Sequence, residues 1–137
     1  MIDLLQKFFG STLYVQVFVD RFELKHIETG EKKTIRPEKP FSHQRTLLGD
    51  FIVAEATLRS GIKGMAFMGG AKRMFAALPI AVIHPRENID GGLSQVEERA
   101  FQELMLGSGA RKARVWVGAE LRDDEVKEKL KEVVGKT

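Results

Sequence analysis

Few side chains in this chain of 137 residues have the types and spacing that chemistry needs. The foremost is Glu97, inside "LSQVEERAFQELMLGSGARKARVWVG" at 93–118. A carboxylate at the start of such a segment could position a water molecule or hold a metal. The same letters also spell Ser94-Gln95-Val96-Glu97, the Ser-x-x-Glu capping box that closes the first turn of a helix without any reaction. Asp20 and Asp50 are the other acids that could join Glu97 around Mg²⁺, as a nuclease would require. Asp20, however, falls in a short turn and reads as a turn residue. His26, His43 and His84 are widely separated and lack the carboxylate–histidine spacing of a zinc site, so each reads as polar or structural. Lys72–Arg73 and Arg111–Lys112–Arg114 could face phosphates. Without interleaved aromatic residues they read as solvated surface, and nucleic acid is not the favoured partner.

Composition narrows the field further. With no cysteine, disulfides, thiolate metal sites and a cysteine nucleophile are excluded. The 22 Lys+Arg against 19 Asp+Glu leave a net charge of +3, too small a bias to argue for nucleic acid. Hydrophobic residues at 43% and charged residues at 30% suit a folded domain rather than a disordered chain. No apolar run reaches the roughly 18 residues of a membrane-spanning helix. The first residues do not read as a signal peptide. A cytoplasmic location is expected.

The elements that must position these residues follow from periodicity. "MIDLLQKFF" places Ile2, Leu5, Phe8 and Phe9 on one helical arc, with Asp3, Gln6 and Lys7 opposite. This face could dip into the inner membrane surface or bury against this domain or a second copy. β-branched and aromatic residues then predict strands near 12–18, 21–28 and 31–36, and such short connections require an antiparallel meander. "PEKPFSHQR" is a proline-punctuated connector. A helix is expected from about Thr46, as its cap, to Lys63, with Leu47, Leu48, Phe51, Ile52, Leu58 and Ile62 on its inner stripe. "GMAFMGG" reads as a flexible methionine-containing loop, followed by a short helical turn near 71–76. "LPIAVIHP" is a buried strand ended by Pro85. Leu93, Val96, Ala100, Phe101, Leu104 and Met105 predict a helix to about Gly107. "ARVWVG" is the next strand. "LRDDEVKEKLKEVVGK" is a last amphipathic helix, with Val126, Leu130, Val133 and Val134 inward and its acids at the dipole-favoured end.

The expected architecture is one α/β domain at 12–137, a mixed sheet in the order β-β-β-α-β-α-β-α, preceded by an amphipathic helix at 1–11. A meander followed by right-handed crossovers is the topology of RNase H-like and actin-like domains, with a ferredoxin-like sandwich as the alternative.

"SQVEERAFQELMLGSGARKARVW" resembles the Gln-Val-Glu-Arg-Arg-Ala helix and Gly-Ala-Gly-Ala-Arg strand entry of MreB-type bacterial actin homologues, which determine rod shape. "LLGDFIVAEATLRSGIK" resembles another helix of that family, placing Asp50, Phe51 and Glu55 on matching positions, and "IDLLQKFFGSTLYVQV" resembles its N-terminal segment and first strand. The resemblance covers most of residues 1–118. It implies that Glu97 occupies the position whose carboxylate helps orient an attacking water.

The departures from the family are equally specific. After the first strand it carries an Asp-Leu-Gly-Thr-Ala-Asn turn that cradles phosphates, where this chain reads "QVFVDR". Gln16 replaces the acid, and Phe18 stands where a glycine would let the backbone approach. The connector at 36–45 is too short for the subdomain that family members insert there, and "GAELRDDEV" replaces the entry to their second lobe. What the resemblance implies is therefore a non-catalytic actin-like protein without cofactor. Its expected partners are itself, full-length actin-like relatives or the inner membrane face. The alternative is a minimal nucleotide- or nucleic-acid-processing enzyme of RNase H-like fold.

Overall fold

The computed structural model describes residues 11–42, 47–69 and 78–134, the last three by backbone alone. The expected N-terminal helix with Ile2, Leu5, Phe8 and Phe9, the cap at Thr46, His43, the turn near 71–76, Lys72–Arg73 and the side chains of Val133 and Val134 lie outside this description.

Three strands open the fold: β1 (Thr12–Phe18), β2 (Arg21–His26) and β3 (Lys32–Ile35). Alternation drives them. Leu13, Val15 and Val17 bury on one face of β1, with Phe22 and Leu24 of β2 beside them, while Tyr14 and Gln16 point to the other face. β2 stops at His26, short of residue 28, because its carbonyl accepts the Gly30 amide in a tight loop. Gly30 there adopts φ 76°, a conformation glycine takes without cost.

Helix α1 (Phe51–Lys63) starts later than its periodicity suggests. Asp50 is the cap, accepting from the Val53 amide at 3.1 Å. Leu47 and Leu48 are buried, but in a turn ahead of the helix. Ile52 departs from the expected inner stripe: it lies about 200° around the helix from buried Ala54 and is 81% exposed. "GMAFMGG" is no free loop either. Met65 and Phe67 enter the core around a 3₁₀ turn at Ala66–Met68.

Strand β4 (Ile80–Pro85) is buried along its whole length. Helix α2 (Gln95–Gly107) buries Phe101, Leu104 and Met105. Val96, expected inside, is 80% exposed, at the rim of a hollow it shares with Leu93 and Ala100. Strand β5 (Lys112–Val115) and helix α3 (Asp123–Val134) complete the order.

Among the described residues the sheet runs β3-β2-β1-β4-β5. β1 pairs antiparallel with β2 and parallel with β4; β2–β3 is antiparallel and β4–β5 parallel. This is a mixed α/β fold with helices on both faces. α1 and α2 cover the face of Leu13, Val15, Ala81 and Ile83. α3 covers the other face only in part, through Val126 and Leu130 on Tyr14, Ile80 and Val82. The polar ends of β1, β2 and β3 on that side stay open. None of the described helices is long and apolar enough to cross a membrane.

Candidate functional site

Asp20, Asp50 and Glu97 do not converge. Asp20, at φ 49° in the β1–β2 turn, accepts from the amides of Phe41 at 2.9 Å and Ser42 at 2.7 Å. Asp50 caps α1. Glu97 completes the capping box: its amide donates to Ser94 Oγ, and its carboxylate accepts from the Ser94 amide, both at 3.1 Å. Each acid is thus spent on backbone N–H groups. Among the described residues, no group of three or more His, Cys, Asp or Glu side chains could hold a metal ion. Replacing Ser94 with Ala should cost about 0.5–2 kcal/mol in urea denaturation, while Glu97→Gln should cost less, because Gln also serves the box.

The polar groups that do meet lie on the α3 face, toward the carboxyl ends of β1 and β4. In open α/β sheets, ligands gather at such ends where the connections switch direction. β4 lies parallel to β1 with His84 level with Gln16, so Tyr14, one alternation earlier, also reaches the imidazole. Tyr14 Oη and His84 Nδ1 are 2.7 Å apart, and His84 Nε2 is 2.9 Å from the Gly118 carbonyl oxygen. A carbonyl only accepts, which assigns the proton to Nε2 and leaves Nδ1 to accept from the tyrosine hydroxyl. Tyr14 Oη in turn accepts from the Leu121 amide at 3.0 Å. Burial pushes the His84 pKa below its ordinary value; Arg86 adds to this, against the opposing pull of the Gly118 carbonyl and Glu120. Burial likewise raises Tyr14, opposed by the Leu121 amide and Arg86. The neutral, hydrogen-bonded form of both is the stable one.

Beside this relay, Arg86 Nη1 donates to Gln16 Oε1 at 2.5 Å and lies 3.5 Å from Glu120. Phe18 carries the Arg21 guanidinium at 4.0 Å from its ring centre, with that of Arg86 at 5.8 Å. An open groove of about 670 Å³ runs along the uncovered sheet. Its floor includes Gln16, Glu23, Lys25 and Thr34, and its wall is formed by residues 120–124. Lys25 and Asp123 join floor and wall at 2.7 Å. The groove has carboxylates and cations in near balance, so its electrostatics select neither sign of ligand.

Glu97 is remote in kind from this groove. It borders an apolar hollow of about 130 Å³ with Leu47, Ile89, Leu93 and Phe101. Of the other candidates, His26 is buried against Phe67, ring centres 4.1 Å apart, with Nδ1 2.7 Å from Thr29 Oγ1. Arg114 donates to the Lys129 carbonyl at 2.9 Å, tying β5 to α3. Tyr14, Arg86 and Glu120 were not singled out by sequence pattern, because their partnership depends on strand register.

The uncharacterized protein YjaA of Escherichia coli (strain K12) is 32% identical to this chain over 111 residues, covering 76% of this chain and 81% of that protein. The chain belongs to the YjaA family. No protein-family model matches it. The YjaA relationship covers most of the chain, and nothing in that relative's name assigns it a ligand or a reaction.

Proposed function

We propose that this member of the YjaA family is a non-catalytic interaction protein built on an RNase H-like, actin-like domain related to the MreB type. The strand order β3-β2-β1-β4-β5, with β2 running against the others, supports that fold, since these domains build their sheets in this way. One observation carries the non-catalytic reading: the end of β1 presents Gln16 clamped by Arg86, and Phe18 under the Arg21 guanidinium. Phosphate or metal chemistry at that place would call for a carboxylate and a glycine. A guanidinium opposes a divalent cation there, and a phenyl ring fills the space a phosphate oxygen would need. The proposed partner is protein, either another copy or a full-length actin-like relative.

Isothermal titration with Mg-ATP, paired with a phosphate-release assay, tests this reading. The expected result is no saturable binding at micromolar protein and no turnover. Micromolar binding with turnover that disappears in Glu97→Gln would overturn it. The groove of about 670 Å³ supports a second reading, a minimal nucleotide- or nucleic-acid-processing enzyme. Magnesium-dependent cleavage of single- or double-stranded substrate, lost on changing Glu23 or Glu120, is what that reading expects.

A further inference from the structure

His84 is fully buried, and both of its ring nitrogens reach outside its own strand. One meets Tyr14 Oη on β1; the other donates to Gly118, and the tyrosine oxygen takes the Leu121 amide. Two points of the 116–122 connector are therefore held down by two side chains of the sheet. That connector supplies Glu120, Leu121 and Arg122 to the groove wall. At its start the Trp116 amide also donates to the Ile83 carbonyl at 2.9 Å, and the Leu121 side chain is buried in the cluster under α3. Trp116 Nε1 bonds Ala119 within the connector itself, and Glu120 is 3.5 Å from Arg86 and mostly exposed.

We propose that His84 is a proton-operated latch: in its neutral form it clamps the 116–122 connector against the sheet, and on protonation it releases the connector and opens the groove. The relay carries one hydrogen per link, and its order leaves no room for another. A proton on Nδ1 would point at the tyrosine hydroxyl, which must then turn its own hydrogen away. Tyr14 Oη already accepts from Leu121, so the displaced hydrogen is left in a buried place without an acceptor. Arg86 adds like-charge repulsion, whereas Glu120 on the connector attracts the imidazolium. Glu125 of α3 also acts on Tyr14, and Lys129 of α3 sits over the Trp116 ring at 4.2 Å. Outward movement of the connector lets water reach the ring and removes the conflict. Lys25–Asp123 then remains as the hinge-side tie between floor and wall. The latch does not depend on the actin-like reading or on what the groove accepts.

Trp116 is the chain's single tryptophan and begins the connector, so its emission reports the latch directly. Emission and far-UV circular dichroism are followed together from about pH 8 to about pH 5, the range in which histidine titrates. The expected result is a red shift of emission with a one-proton midpoint while the dichroism stays constant. The protection of the Leu121 amide, the intrinsic exchange rate at each pH divided by the observed one, should fall in the same window. His84→Gln has no titrating ring and should lose the transition; His26→Gln should keep it. The latch is overturned if the transition survives in His84→Gln, if emission and dichroism change together, or if wild-type emission does not move. Should His84→Gln fail to fold, ¹⁵N shifts of the wild-type imidazole decide. Titration of His84 in step with the Leu121 amide supports the latch, and titration that leaves that amide unmoved rejects it.

Discussion

Phe41→Ala should lose about 3–5 kcal/mol of stability, the cost of truncating a buried phenylalanine. Against the roughly 5–15 kcal/mol that holds a domain of this size together, that is a large fraction. Phe41 is fully buried and stacks on Phe22, ring centres 4.8 Å apart and planes 19° from parallel. Its backbone works as well. The amide donates to Asp20 in the β1–β2 turn, and the carbonyl accepts from the Asp50 amide at 2.7 Å, at the cap of α1. One residue of an apparent connector thus fastens the meander to the first helix. Urea unfolding should show a lower midpoint with an unchanged slope, since the surface exposed on unfolding barely changes. A loss below about 0.5 kcal/mol, typical of surface substitutions, would mean that the 37–42 segment does not pack as described.

Acid should weaken the fold in a defined window. The folded-state pKa values of His26 and His84 are both lowered, chiefly by burial. Glu28 and Glu31 pull His26 the other way without cancelling the effect. A histidine with a depressed pKa takes up its proton on unfolding, so the unfolded chain binds more protons once pH falls below the unperturbed value of 6.5. Stability is then fully present above that value and declines as pH falls toward the folded-state pKa. Each such histidine adds at most about 1.4 kcal/mol per pH unit to the slope. Denaturation midpoints should be level between about pH 7 and 8 and fall between about pH 6.5 and 5. Combining His26→Gln with His84→Gln should flatten that decline. A decline of unchanged steepness in the double variant would assign it to other groups.

Local pattern carried much of the architecture. Alternation in "TLYVQVF" and "RFELKH" gave the meander, the unbroken apolar "IAVI" gave the buried strand β4, and Ser94 with Glu97 gave the start of α2. Pattern misled where a turn imitates a helix. Leu47, Leu48 and Phe51 have helical spacing, yet the first two are core residues of a turn and only Phe51 is helical. Asp50, which accepts from Val53, was the sign of the true start. Phe41 hid in a proline-rich stretch because its partner is on β2. The Tyr14–His84 pair was beyond reach for the same reason: 70 positions separate the two, and only the parallel register of β1 and β4 joins them.

That parallel pairing also bears on how the chain is made. As synthesis proceeds, β1, β2 and β3 can pair while still close to the ribosome, since tight turns join them. β1 then waits with one edge unpaired until the segment around His84 emerges, although α1 can already cover part of its apolar face. During that interval the nascent meander presents a hydrogen-bonding edge to any neighbouring chain. β4, which seats itself between β1 and β5, is therefore the strand whose late arrival closes the open edge of the central strand β1.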